Sequence, residues 1–277
     1  MKYYDLHSHS TASDGSLSPT ELITLAKDSA IDCFALTDHD GIDGIEEAKF
    51  QAKTIGLEFI SGIELSVSWQ KYTIHIVGLN INTAYAPLLK GIEELKIYRK
   101  WRAEQISIRL AEHGLEGALA GAQQFASGKM IGRLHFAQFL VASGYCKDTR
   151  TVFKKYLVNN KPGYIHGEWA SLADAVSWIN GAGGVAIIAH PGRYPFKNKK
   201  LRVLLNEFIE MGGQAIEVVS SSHDAQLVKR ISDIAQEFEI YASIGADFHH
   251  PDVSWNRLGK LPPLPRQCVP VWQAWEN

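Results

Sequence analysis

The run Cys33-Phe34-Ala35-Leu36-Thr37-Asp38-His39-Asp40 sets the architecture. Four consecutive apolar residues are the pattern of a strand buried on both faces, and this one passes directly into a histidine flanked by acids. The same figure recurs along the chain. Residues 3–7 are expected to form a strand leading into His7-Ser8-His9. Residues 57–63 lead to Glu64, 73–79 carry His75, 185–189 run into His190, and 241–245 run into Asp247-Phe248-His249. With Asp14, six of eleven histidines and three carboxylates gather where strands are expected to end.

Between these runs lie helix signals. Ser18-Pro19-Thr20-Glu21 supplies an N-cap, a proline for the first turn and a capping-box glutamate, so a helix should run from there toward Ser29. A helix over 42–54 should stop at Gly56. Ser171-Leu172-Ala173-Asp174 starts another, ending at Gly181. A helix over 200–211, a strand over 215–219 and a helix over 224–238 complete the alternation. Strands alternating with helices imply an α/β fold with a parallel sheet. Ligand types at the ends of many successive strands favour a barrel, whose strand ends converge on one face, over an open sheet. The alternation is broken once. Residues 87–113 read as one long charged helix closed by Gly114, and no strand signal appears before Lys161-Pro162-Gly163. The expected organisation is a barrel from residues 1–86 and 164–277 with a helical insertion at 87–163. The proline-rich tail after Gly259 should lie extended on the surface.

Composition narrows the function classes. A chain of 277 residues, 45% of them hydrophobic, can bury a large core. A formal charge of −2 excludes a broadly basic nucleic-acid surface but leaves room for a local basic pocket. Cys33, Cys146 and Cys268 are widely spaced and odd in number, which suits a reduced compartment rather than a disulfide framework. With no charged-then-apolar leader and no long apolar run, a cytoplasmic protein without membrane contact is expected. No protein partner is inferred.

Neutral imidazole and carboxylate hold divalent transition metals, and nine such groups exceed what one ion takes. In His7-Ser8-His9 the two imidazoles share one side of an extended segment, which suits chelation from a strand end. Each cluster alone has a plainer reading: an Asx turn at Asp14-Gly15, a capped strand exit at Thr37-Asp38-His39, a core histidine at His75, a turn at His190-Pro191. Their coincidence at one end of so many strands is what points to a polynuclear hydrolytic site.

The order HxH, Asp-Gly, TDH, Glu, His, HP and DxH resembles the polymerase-and-histidinol-phosphatase (PHP) superfamily over the whole chain. Ser13-Asp14-Gly15, Glu64-Leu65-Ser66-Val67-Ser68-Trp69, His75-Ile76-Val77-Gly78-Leu79, Arg133-Leu134-His135-Phe136-Ala137, Lys161-Pro162-Gly163-Tyr164 and Ala189-His190-Pro191-Gly192-Arg193-Tyr194 narrow the likeness. They resemble the bacterial 3′,5′-nucleoside bisphosphate phosphatases, a subfamily that includes the 5′-to-3′ exoribonuclease ribonuclease AM. The resemblance implies a distorted (β/α)₇ TIM-like barrel with a small helical insertion. It also implies three divalent ions: one held by His7, His9, Glu64 and Asp247; one sharing Glu64 with His75 and His190; one held by Asp14, His39 and His249. Manganese is the implied metal, with iron, zinc or magnesium as alternatives, although imidazole-rich sites argue against magnesium alone.

Three such ions bring about six positive charges against three carboxylates, which attracts phosphate. A water there has its pKa lowered toward ~7, so the expected nucleophile is a metal-activated hydroxide attacking phosphorus in line. No GxSxG or similar nucleophile motif competes. Glu64, Asp247 and His249 are the expected catalytic residues; Asp247, His249 and His223 are the candidates for the general acid.

A bisphosphate needs a second anion reader, and arginine's planar fork suits phosphate. Arg99 and Arg102 lie three apart on one helix face, Arg133 and His135 two apart at the next helix start, and Arg193 just after His190. The plainer readings are a solvated face pairing with Glu94 or Glu104 and a surface pair at a helix start. Lys161 and Tyr164 are further cleft candidates, and Trp69 and Trp169 are candidates for stacking on a base. The resulting expectation is removal of the 3′-phosphate from small 3′,5′-bisphosphonucleotides, for example adenosine 3′,5′-bisphosphate to AMP and phosphate. Stepwise 5′-to-3′ cleavage of short 5′-phosphorylated RNA could share the site. The alternatives are a histidinol-phosphate-type monoesterase, a C–N hydrolase, or a non-catalytic metal-stabilised interaction domain.

Overall fold

The computed structural model describes residues 2–126, 128, 130–158, 160–253 and 256–276. Its strands are β1 (Tyr4–Asp5), β2 (Cys33–Leu36), β3 (Glu58–Trp69), β4 (Tyr72–Leu79), β5 (Ala170–Ser171), β6 (Val185–Ile188), β7 (Ala215–Ser220) and β8 (Tyr241–Gly245). Seven of them pair in the order β1-β2-β3-β4-β6-β7-β8, with β5 beside β3. The sheet curls until its ends meet. Leu6 N–H donates to Ile244 O at 3.0 Å, Asp247 N–H to His7 O at 2.8 Å and His9 N–H to Phe248 O at 2.9 Å. The α/β barrel is thereby nearly closed, with the exits of its parallel strands on one face.

The expected all-parallel sheet needs one correction. The strand expected to end at Glu64 continues to Trp69, turns at Gln70 (φ 53°) and returns antiparallel as β4, in register from Trp69↔Tyr72 to Gly62↔Leu79. β4 is also antiparallel to β6. The sequence carried the signal: Glu64-Leu65-Ser66-Val67-Ser68-Trp69 alternates polar and apolar, the two-residue period of one continuing strand. Because β4 runs backwards, His75 near its start lies level with Ser66, beside the mouth of the barrel.

Nine α-helices lie among the described residues: α1 (Pro19–Asp28), α2 (Ile45–Ile55), α3 (Ala86–Ala111), α4 (Ala118–Phe125), α5 (Arg133–Ala142), α6 (Thr149–Val152), α7 (Leu172–Gly181), α8 (Asn198–Glu210) and α9 (Ala225–Glu237). The capping box of α1 forms as read, with Glu21 N–H donating to Ser18 Oγ and Ser18 N–H to Glu21 Oε2. Gly56 ends α2 in the left-handed region at φ 66°, which glycine adopts without strain.

Buried apolar side chains form two clusters. The larger fills the barrel and its helical shell. The smaller, from Ala103 to Ile165, belongs to α3–α6 and the π-helical turn Phe153–Leu157. α3 joins both. Leu88, Ile92 and Leu95 pack with the barrel, while Ala103, Ile106 and Leu110 pack in the second cluster. At Gly91 a Cβ would lie 2.5 Å from the Trp178 ring, so the helix approaches α7 as closely as glycine allows. The tail does more than wrap the surface. Val271 is fully buried, Pro270 bridges Ala242, and the Trp272 ring stacks on Tyr4 at 3.8 Å, covering the end of the barrel opposite the site. The three cysteines are free.

Candidate metal centre

Each candidate ligand sits on a short segment held by its neighbours. The Asp38 carboxylate accepts from Ser10 N–H (2.7 Å), Ser10 Oγ (2.7 Å) and Ser13 Oγ (2.5 Å), which fixes the loop carrying Asp14. Asp40, at φ 45°, accepts from Ser66 N–H and Arg99 Nε, each at 2.6 Å. In Thr37-Asp38-His39-Asp40, therefore, only the histidine faces the centre and the two acids hold the surrounding frame. His190 (φ 27°) and Asp247 (φ 54°) also occupy the left-handed region. Non-glycine residues tolerate it only where surrounding structure imposes it, commonly at functional sites.

Glu64 lies at the middle. Its Oε1 is 2.9 Å from both His75 Nδ1 and His190 Nε2; its Oε2 is 3.3 Å from His7 Nε2, 3.2 Å from His9 Nε2 and 2.9 Å from His39 Nδ1. Asp247 Oδ1 lies 3.4 Å from His7 Nε2 and 3.0 Å from His9 Nε2. Asp14 faces His249 at 3.3 Å and His39 at 3.9 Å. Three overlapping groups result: His7, His9, Glu64 and Asp247; His39, Glu64 and His75; His9, Asp14, His39 and His249. Eight of the nine sequence candidates fall in these groups; His190, expected beside His75, lies outside them and meets the cluster through Glu64 Oε1 at 2.9 Å.

The donor set fits divalent ions on a test of its own. Buried polar atoms normally find hydrogen-bond partners, and an orphan costs about 1–3 kcal/mol. Here His7 Nε2, both ring nitrogens of His9, His39 Nδ1, Asp14 Oδ1 and Glu64 Oε2 are buried without one. Such a concentration of orphans, aimed at one another, has the chemistry of a ligand set. Titration behaviour agrees. Burial opposes ionisation of Glu64, but the imidazoles of His39, His75 and His7 outweigh it and hold the carboxyl well below its usual range. Burial likewise opposes ionisation of Asp247, and Arg193, His7 and His249 overcome it. Burial disfavours protonated His9, yet Asp247 and Glu64 raise it to about 10. Ions binding there would displace those protons.

Several supporting residues escaped the sequence reading. Glu217 lies between His7 and His190, Tyr194 Oη accepts from His75 N–H at 2.9 Å, and Asn256 Nδ2 donates to Asp247 O at 2.6 Å. A charge inside Ala215-Ile216-Glu217-Val218-Val219 was the visible signal for the first; the other two had none. His223 has no nitrogen to spare as an acid. Its Nε2 accepts from Gly192 N–H at 3.2 Å and its Nδ1 donates to Val218 O at 3.0 Å.

Across from the ligands opens a cavity of about 410 Å³. Asp14, His39, His75 and His249 line one side; Arg99, Arg102, Arg133 and Arg193 line it with Trp169 and Phe153. Arg99 is fixed by Asp40 and by Ser66 Oγ (3.0 Å), its guanidinium 4.9 Å from the Trp169 ring centre. Arg102 stacks on the same ring at 5.4 Å. Burial, then the charges of Arg133 and Arg99, pull its pKa down to about 10. Arg102 and Arg133 have no ion pair among the described residues, and the plainer pairing with Glu94 or Glu104 is not made. Glu94 pairs with Lys90 instead. Arg193 forms an ion pair with Asp247. His135 is not part of the lining: it is buried, and its Nδ1 accepts from Gly132 N–H at the start of α5. Lys161 and Tyr164 do not line the cavity either. Trp69 is committed to packing, with its Nε1 donating to Glu207 at 2.6 Å.

A barrel mouth of this kind, with clustered candidate ligands facing arginines, is suited to the hydrolysis of phosphate esters. Residues 5–165 match the PHP domain, and the chain belongs to that family. It is 45% identical to a 3′,5′-nucleoside bisphosphate phosphatase of Chromobacterium violaceum, over 100% of this chain and 97% of the relative. It is 39% identical to the 5′-3′ exoribonuclease Rnm of Escherichia coli, over 99% and 94%. A solved structure described as an amidohydrolase from C. violaceum, holding sulfate and no metal, superposes with a TM-score of 0.94 at 45% identity, covering 99% of this chain and 95% of that one. Among the described residues no helix is long and apolar enough to cross a membrane.

Proposed function

We propose that this chain removes the 3′-phosphate from 3′,5′-bisphosphonucleotides and, in the same site, releases nucleotides stepwise from the 5′ end of short 5′-phosphorylated RNA. One observation carries the reading: candidate metal ligands and unpaired arginines share a single 410 Å³ cavity. A free 3′-phosphate and a 3′-phosphodiester present the same phosphorus relative to a 5′-phosphate held at a fixed distance, so one geometry serves both. The names of the two relatives support the pairing of these activities.

In this reading His7, His9, Glu64 and Asp247 hold one ion, Glu64 with His75 and His190 a second, and Asp14, His39 and His249 a third. Manganese suits the imidazole-rich donor set. When bound, the ions supply charge stabilisation to the phosphoryl group and acidify the attacking water. The chain's own part is orientation. Arg102 and Arg133 take the 5′-phosphate, Arg99 is locked at their side, and Trp169 offers an apolar wall. His249 acts here as a ligand alone, since its Nδ1 lies 2.8 Å from Asp247 O and its Nε2 faces Asp14, which leaves neither nitrogen for the leaving oxygen. Residues 87–163 act as the recognition unit, and the unpaired thiols suit a reducing, cytoplasmic setting.

The test offers manganese-loaded protein adenosine 3′,5′-bisphosphate, a 5′-phosphorylated oligoribonucleotide, its 5′-hydroxyl counterpart and histidinol phosphate, and measures phosphate and mononucleotide release. Turnover of the first two, with the 5′-hydroxyl strand left intact, is expected. Exclusive turnover of histidinol phosphate would overturn the proposal.

A further inference from the structure

Glu217 is a buried acid in a strand whose six residues are all buried, and the reaction outlined above does not use it. Its placement follows from a defect in the sheet. β7 pairs Glu217 with Ser243 and then Val219 with Ile244, so Val218 is an extra residue at this point. Such a bulge re-aims a neighbouring side chain, commonly beside active sites. The carboxylate is closely packed: a Cβ on Gly245 would lie 2.2 Å from His7 Cβ and 3.0 Å from Glu217 Oε1.

Each oxygen has its own task. Oε1 lies 3.1 Å from His7 Nδ1; Oε2 accepts from the backbone N–H of His190 at 2.6 Å. An ionised carboxylate only accepts, so His7 must carry its proton on Nδ1. That leaves the lone pair on Nε2, the nitrogen facing Glu64 and Asp247. At His190 the same carboxylate braces a backbone held at φ 27°, with Arg193 N–H donating to His190 O at 2.9 Å. The braced ring directs Nε2 at the other oxygen of Glu64. Glu64 thus joins the two groups from within and Glu217 joins them from outside.

We infer that Glu217 is a positioning residue that sets the metal affinities of two adjacent positions together, the one built on His7 and the one built on His190. The inference rests on the metal centre proposed above. The third position, at Asp14, His39 and His249, has no contact with Glu217 and should be independent of it.

The substitution Glu217→Gln keeps the volume but offers one acceptor where two donors each need one. If the amide oxygen serves His190 N–H, His7 must turn its Nδ1 into an acceptor and place the proton on Nε2. Manganese titration of metal-free protein in chelator-buffered solutions, with bound metal counted by elemental analysis, reads the result. Two ions should weaken together by about 10- to 100-fold, the usual range for loss of a residue that orients a ligand, while one keeps wild-type affinity. Unchanged binding in E217Q, or weakening of one ion alone, overturns the inference and leaves the metal centre standing. Wild-type protein that binds no manganese overturns both. Should E217Q lose its far-UV circular dichroism, nitrogen-15 spectra of zinc-loaded wild-type protein decide instead. A proton on His7 Nδ1 is expected, and one on Nε2 refutes the role.

Discussion

The cavity has two sides built on different principles. The ligand side stands on strand exits of the barrel, where loops, bulges and left-handed residues are pinned by Asp38, Asp40 and Glu217. The arginine side draws Arg99, Arg102 and Arg133 from α3 and the start of α5, elements that form the second core. Of these three, only Arg99 is tied back to the barrel by an ion pair among the described residues. The first side is rigid and crowded with orphaned donors; the second is cationic and short of counter-charge. In the proposed reading hydrolysis and recognition are therefore separable, and a substitution on one side should leave the other side's function legible.

The largest effect should come from Glu64, which touches five imidazoles. Glu64→Gln removes the shared charge, and kcat should fall by about 10³-fold or more, with at least one ion lost by elemental analysis. Retention of activity within tenfold would break the division of labour.

Metal removal comes next. Ligands that bind only the folded state stabilise it by about 2.7–4.1 kcal/mol at 100–1,000 times Kd. Dialysis against a chelator should lower Tm by roughly 5–15 °C and abolish turnover, both reversed by manganese; an unaltered melting curve would count against ligation.

On the other side, Arg102→Ala should raise KM for a 5′-phosphorylated substrate by about 10- to 100-fold, since hydrogen bonds to charged groups contribute ~1.5–3 kcal/mol. KM for the unphosphorylated analogue should hardly move. Equal changes on both would mean that the arginines do not read the 5′-phosphate. Arg102→Lys should not restore it, because an ammonium lacks the planar fork.

The smallest effect probes the joint between the two sides. Gly91→Ala drives a methyl into Trp178 and should destabilise by about 1–3 kcal/mol, seen in urea titration. Its kinetic trace should be a KM change for phosphorylated substrates with kcat preserved. A kcat change alone would show that α3 also shapes the ligand side.

Much of this contrast was readable in the residues. Cys33–Leu36 and Tyr241–Gly245 form strands with the bounds their apolar runs imply, and the caps at Ser18 and Ser171 form as their spacing requires. Most of the nine candidates were visible because strand ends are local, although Glu64 lies inside β3 and His75 near the start of β4. The β3–β4 hairpin was not seen, since Gln70-Lys71 carries none of the glycine, asparagine or proline that marks a tight turn. Glu217 and Tyr194 depend on partners far away in sequence, and no local pattern encodes those contacts. Arg133 and His135 show the opposite failure. Neighbours in sequence, they part in space, one lining the cavity and the other buried at the start of α5.

The barrel closes between its first and last strands, and this has a consequence for biosynthesis. Leu6, His7 and His9 find their backbone partners in Ile244, Asp247 and Phe248, so β1 and the segment after it are made long before the strand that closes on them. Until then His7 and His9 stand on an open edge, and the acid that completes their group has not been made. In the proposed reading, a chain that stops before Asp247 should therefore hold metal at His7 and His9 less tightly than one that includes it. In that reading, synthesis of the segment after β8 is the step that completes the metal centre.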